Sequence, residues 1–116
     1  MDRKQGFEVN MDRPDNPELV NRQVIVVGHF KLDVAKGEAW SGERPVSLTR
    51  VEATLLAALL RQRGRVVTRT ELMIDAWSDV RIPEERLAQE IAGLRAKLVF
   101  CQIEITTVPG IGYVLR

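Results

Sequence analysis

The hydrophobic and polar positions change their period along the chain. Val24-Ile25-Val26-Val27 is a short β-branched run, and Phe30-Lys31-Leu32-Asp33-Val34 alternates apolar and polar, the pattern of a half-buried strand. Ala35-Lys36-Gly37 reads as a turn and Glu38-Ala39-Trp40 as a return strand. Ser41-Gly42-Glu43-Arg44-Pro45 reads as a second turn, followed by Val46-Ser47-Leu48. These residues predict an antiparallel meander of three or four short strands. From Val51 the period becomes helical: Val51, Leu55, Ala58 and Leu59 make one face, and Leu56 and Leu60 widen it, so this helix should be largely buried. Thr49-Arg50-Val51-Glu52 opens it as a capping box, whose hydroxyl and carboxylate satisfy N–H groups that the first turn leaves unpaired. Gly64 is its stop.

The device repeats. After the β-branched pair Val66-Val67, Thr68-Arg69-Thr70-Glu71 forms a second box, 19 residues after the first, ahead of a short helix with Leu72, Met73, Ala76 and Trp77. A loop from Ser78 to Ile82 ends at Pro83, read as the first helical position, where the missing N–H costs nothing. Glu84 and Glu85 suit the positive end of the helix dipole. Leu87, Ile91, Leu94 and Leu98 then form an inward stripe through a helix from Glu84 to Val99. Ile103 to Val108, the turn Pro109-Gly110-Ile111-Gly112 and Tyr113-Val114-Leu115 predict a closing hairpin. The order sheet, helix, helix, helix, hairpin is an α+β winged helix-turn-helix. Its N-terminal sheet is antiparallel and its terminal β-hairpin is the wing. The third helix is the element shaped to enter a DNA major groove, which is about as wide as one helix. Residues 1–22 show neither period and hold Pro14 and Pro17, so they read as a flexible tail ahead of a domain over 23–116.

Composition narrows the function classes. The chain has 116 residues with 17 Lys+Arg against 16 Asp+Glu, ordinary for one soluble domain. Its longest apolar run, Leu55 to Leu60, is far too short to span a bilayer, and the acidic N-terminus does not read as a secretory signal. The lone Cys101 makes no internal disulfide and reads as a small buried hydrophobe; a reducing, cytoplasmic setting is expected. His29 has no nucleophile that the sequence pairs with it, Gly110-Ile111-Gly112 lacks the helix of a phosphate loop, and Glu84-Glu85 reads as a helix start rather than a metal pair. The expectation is a binding module without enzymatic activity, metal or cofactor. Charge distribution adds a positive clue: Arg61, Arg63, Arg65 and Arg69 fall within nine residues that contain no acid, a local positive field or a solvated helix end.

Four blocks resemble a known family. They are Leu48-Thr49-x-x-Glu52-x-x-Leu55-Leu56; Gly64-Arg65-Val66-Val67-Thr68-Arg69-x-x-Leu72-x-x-x-Ala76-Trp77; Leu94-Arg95-x-Lys97-Leu98; and Thr107-Val108-Pro109-Gly110-x-Gly112-Tyr113. In this order and spacing they resemble the DNA-binding effector domain of OmpR/PhoB-type bacterial transcription regulators, also found in CadC- and ToxR-like regulators, from about Gln23 to Arg116. The resemblance implies sequence-specific binding of double-stranded DNA by a nucleoid-associated transcription regulator. The third helix (about 84–99) would lie in the major groove and the wing (about 105–115) near the minor groove. Tandem or homodimeric binding to repeated half-sites and a contact with the transcription machinery are implied as well. Such regulators often carry a receiver domain or a membrane anchor, and a 22-residue tail is too short for a receiver.

Candidate DNA-contacting residues follow. By resemblance, Arg69 and Trp77 match positions that touch phosphates; Trp77 is otherwise a core residue, and Tyr113 is either a phosphate donor or core. Arg65 belongs to the arginine cluster. On the third helix the outward arc holds Glu85, Gln89, Ala92, Gly93 and Ala96, with Arg86 and Lys97 on one flank and Arg95 with Ala88 on the other. Gln89 suits adenine, whereas Arg86, Arg95 and Lys97 suit phosphates or guanine. The chain departs from the family where basic residues are usual: Glu90, Ala92 and Gly93 stand on the helix, and Pro109, Ile111 and Val114 in the wing. These departures leave an alternative, in which Ala88, Ala92, Ala96 and Val99 form a small-residue stripe for a protein partner or a homodimer, with DNA binding weakened or lost.

Overall fold

The computed structural model describes residues 24–116; the expected tail over 1–22 and the expected first domain residue, Gln23, lie outside the described residues. Four antiparallel strands come first: β1 (Val24–Val27), β2 (Phe30–Asp33), β3 (Glu38–Ser41) and β4 (Arg44–Ser47), hydrogen-bonded in chain order. The second turn is shorter than its composition suggested, because Ser41 pairs with Arg44 and Trp40 with Pro45. Pro45 is accommodated because β4 is an edge strand, where a missing N–H takes nothing from the ladder. Alternation divides the sheet: Phe30, Leu32 and Ala39 are buried beneath it, while the register Val26–Lys31–Trp40–Pro45 crosses its other face.

Three helices follow. Helix α1 (Arg50–Arg61) is the hub of the core: Ala53 and Leu55 to Leu60 are all buried, and it packs against β1, β2, the other two helices and the last strand. Helices α2 (Arg69–Trp77) and α3 (Glu84–Lys97) complete the helix-turn-helix. Both capping boxes form as read: Thr49 N–H donates to Glu52 Oε1 at 2.9 Å and Glu52 N–H to Thr49 Oγ1 at 3.1 Å. The Thr68–Glu71 box has the matching distances of 2.9 and 3.2 Å. Each cap is worth about 1 kcal/mol. Pro83 is the cap residue and not the first helical one. Helix α3 stops at Lys97, two residues earlier than expected, and Val99 lies outside it, exposed.

The chain ends in β6 (Ile105–Val108) and β7 (Gly112–Leu115), the hairpin, to which the two-residue strand β5 (Val67–Thr68) adds in the order β5-β7-β6. Of the Val66-Val67 pair only Val67 enters this third strand of the wing sheet, with Thr68 beside it; Val66 stays outside and exposed. Gly112 makes this possible: a Cβ there would lie 2.0 Å from the Val67 carbonyl oxygen, so only glycine lets the strands meet. Arg116, residue 116 of the 116, is tied by its N–H to Glu104 O at 2.9 Å. The buried stripe of α3, Leu87, Ile91 and Leu94, together with Leu98 just past its end, closes the core as its spacing predicts. Among the described residues no helix is long and apolar enough to cross a membrane.

Candidate nucleic-acid interface

Fixing one stripe of α3 inward fixes the other three faces as well, because successive residues turn by about 100°. The first flank is Arg86, Glu90, Gly93 and Lys97, at i, i+4, i+7 and i+11, and it faces the other two helices. Lys97 Nζ donates to Glu52 Oε1 of α1 at 2.6 Å. A Cβ on Gly93 would stand 3.3 Å from the same carboxylate, so Gly93 lies against α1 and is not part of the outward arc. Arg86 donates from Nε to Glu90 Oε2 at 3.3 Å, and its guanidinium lies 5.7 Å from the centre of the Trp77 ring on α2.

The opposite flank, Glu84, Ala88 and Arg95, faces the wing. Arg95 donates from Nε to Ile105 O at 2.8 Å and from Nη2 to Thr107 Oγ1 at 2.7 Å, and its guanidinium stands 5.9 Å from the Tyr113 ring. Tyr113 is buried, 8% exposed. Glu84 forms an ion pair with Arg69, at the first position of α2. Arg69 also donates from Nη2 to Gly110 O at 3.3 Å, and its N–H bonds Ile111 O at 3.2 Å. One arginine therefore joins the start of α2, the start of α3 and the tip of the wing. The wing tip has no cation of its own; Arg69 is the one brought to it.

Between the start of α3 and the wing lies a groove of about 270 Å³, lined by residues including Arg69, Glu84, Glu85, Ala88, Thr107 and Gly110. Between these flanks, whose Glu84, Arg86, Ala88, Arg95 and Lys97 are themselves exposed, runs the exposed row Glu85, Gln89, Ala92 and Ala96, at i, i+4, i+7 and i+11. It carries one carboxylate, one amide and two methyl groups. Arg69 and Arg86 flank it on either side, both partly exposed.

Arg95 and Lys97, expected to hold phosphates or reach guanine, stand exposed with acceptors on the wing and on α1. Of the arginine cluster, Arg65 lies before β5, beside Gly64, whose N–H bonds Leu115 O at 2.9 Å, and Arg69 directly after it. The acceptors Glu52, Glu84 and Thr107 escaped the sequence reading as partners of site cations. For Glu52 a signal existed, since a capping carboxylate on a helix apolar nearly all round must be buried with it. Glu52 is the one buried charged residue among the described residues, 5% exposed. Burial pushes its carboxyl up, but hydrogen bonds from Lys97 and Thr49 and the Lys97 charge outweigh this and hold it below the usual carboxylate range. Among the described residues no three His, Cys, Asp or Glu side chains gather as a metal site.

Comparison with known proteins places this geometry. The family described as "Transcriptional regulatory protein, C terminal" matches residues 42–115. The transcriptional regulatory protein CreB of Escherichia coli is 38% identical over 97 residues, covering 80% of this chain and 42% of its own length. The chain spans less than half the length of the curated relatives it matches. Among solved structures, the DNA-binding domain of CpxR from E. coli superposes with a TM-score of 0.69 at 26% identity, covering 79% of this chain and 94% of that domain. The DNA-binding domain of Klebsiella pneumoniae RstA, solved in complex with the RstA box, gives 0.68 at 22% identity over 79% of this chain and 95% of that domain. The last likeness is one of fold.

Proposed function

The chain belongs to the family of transcriptional-regulator C-terminal domains of OmpR/PhoB type, and from that premise we propose that it binds double-stranded DNA sequence-specifically as the DNA-reading part of a bacterial transcription regulator. The observation that carries this is the exposed row Glu85, Gln89, Ala92 and Ala96, open along the full length of α3, with the buried stripe Leu87, Ile91 and Leu94 on the opposite side and flanks whose cations are engaged by α1 and the wing. A 14-residue helix of this kind, about 21 Å long, enters a major groove about 12 Å wide. The RstA domain, similar in fold, was solved in complex with the RstA box, which supports a duplex as the ligand of this fold.

The residues divide by role. Arg69 and Arg86, on the two margins of the row, contact phosphates on either side of the groove, and the Trp77 indole beneath Arg86 steadies that contact. Arg65 adds a weaker, more distant attraction. Gln89 reads a base edge. Arg95, Lys97 and Tyr113 act indirectly: they fix the pitch of α3 against the wing and α1. The wing tip, with Arg69 beside it, lies near the minor groove. Tandem or homodimeric binding to repeated half-sites and a contact with the transcription machinery extend the reading, as does action at the nucleoid in the cytoplasm. The domain contributes recognition and no bond-making chemistry.

The test is retention of random duplex DNA at low and high salt. Binding should weaken with salt on a shallow slope, on the order of 3–5 phosphate contacts per domain. Failure to retain any duplex at low salt overturns the proposal.

A further inference from the structure

The cations of α3 lie on its flanks and not on the row: Arg86 beside Glu90 and Trp77, Lys97 against Glu52, and Arg95 on the wing side with Ile105 and Thr107. The usual reader of guanine, an arginine or lysine forked onto its O6 and N7, is therefore missing from the row that meets the groove. In its place the row carries an acceptor, Glu85, and an amide, Gln89, one turn apart and both exposed. Of the three glutamates on this helix, Glu84 is paired with Arg69 and Glu90 with Arg86, whereas Glu85 has no ion-pair partner among the described residues. A carboxylate accepts hydrogen bonds and donates none. In the major groove the donor amino groups belong to cytosine N4 and adenine N6. Glu85 also stands in the first turn, where the helix dipole partly offsets its repulsion from the phosphates.

We infer that Glu85 is a specificity-determining residue that reads a C·G pair from its cytosine side, accepting from N4, next to an A·T pair read by Gln89. Ala92 and Ala96, further along the row, touch thymine methyl groups. The carboxylate acts chiefly by rejection: opposite guanine O6 and N7 or thymine O4 it meets acceptors only, an unpaired charge against a lone pair. The domain then reads its operator with no guanine contact from α3. This rests on the DNA-binding reading above.

The experiment selects binding sites from random duplexes with the wild-type chain and with Glu85→Gln, then probes the selected site with modified bases. The wild type should select a fixed C·G pair beside a fixed A·T pair. Glu85→Gln, a change at an exposed position, should keep DNA binding but relax the C·G pair. N4-methylation of that cytosine should weaken wild-type binding about tenfold, and 7-deazaguanine at its partner should leave it unchanged. Uracil in place of thymine in the stretch under Ala92 and Ala96 should weaken it by a smaller factor. The inference is overturned if 7-deazaguanine weakens binding as much as the methylated cytosine, or if Glu85→Gln selects the same site as the wild type. In both cases DNA is still retained, which separates this outcome from failure of the DNA-binding reading, where the wild type retains no duplex and both fall together.

Discussion

Lys97 Nζ lies 2.6 Å from Glu52 Oε1, so the last basic residue of the recognition helix is bound to the central helix of the core. The same carboxylate caps α1 through Thr49 N–H. One buried acid thus fixes the start of one helix and the end of another, and it sets the angle at which α3 leaves the body. This makes a lysine that sequence places among DNA contacts a structural residue first.

Lys97→Met should therefore cost stability, about 1–2 kcal/mol, since the pair is only partly screened from water. Its pH dependence has a definite sign. The folded Glu52 carboxyl titrates below its ordinary range, so in the wild type its contribution is fully present above that range and is lost as pH falls through the folded value. In the variant, burial acts on Glu52 without the lysine, and that value rises. Urea melts should show the gap between wild type and variant shrinking on acidification; a gap that widens would contradict the pairing.

Arg69→Ala should weaken binding to every duplex alike and lower the salt slope by about one phosphate. Glu84→Gln should do the reverse, because it frees Arg69 from its ion pair and removes a negative charge from the groove mouth. A gain of up to about fivefold is expected from releasing an exposed pair. Titrations at several salt concentrations read both effects, and weaker binding by Glu84→Gln would show that the pair positions Arg69 for DNA instead of competing for it.

Gln89→Ala should change preference at one base pair while leaving non-specific affinity intact. Site selection and binding to calf-thymus-type bulk DNA separate the two. A uniform loss on all sequences would place Gln89 on the backbone.

Gly112→Ala should destabilise the wing by at least about 2 kcal/mol, because the new methyl group meets the Val67 carbonyl, which is backbone and has nowhere to move. Thermal melting measures this, and amide exchange should rise first in β5 and β7. An unchanged melting temperature would mean that β5 can leave the wing sheet at no cost.

Local rules made most of the fold readable in the sequence. The two Thr-x-x-Glu boxes mark both helix starts because a cap is a contact between residues three apart. Leu87, Ile91, Leu94 and Leu98 fix which side of α3 turns inward, because a helix has one period. From that stripe the exposed row Glu85, Gln89, Ala92 and Ala96 follows almost entirely. Only Gly93 was misplaced, and it lies at the edge of the arc, where a contact with another element and not the helix's own period sets exposure.

What needed the tertiary structure was which cations stay available. Arg69, Arg95 and Lys97 are equally charged in the sequence, but their acceptors lie up to 45 residues away, at Glu52, or across the chain on the wing and at the start of α3. Long side chains choose partners by where packed elements bring them, and no periodicity encodes that. The third strand of the wing sheet is the same case: Val67 meets Tyr113 across 46 residues, and only the approach allowed at Gly112 turns two β-branched residues into a strand. Sequence determined the elements and their inward faces because those depend on neighbours along the chain. Which charges remain for DNA was decided by contacts that exist only once the helices and the wing are packed together.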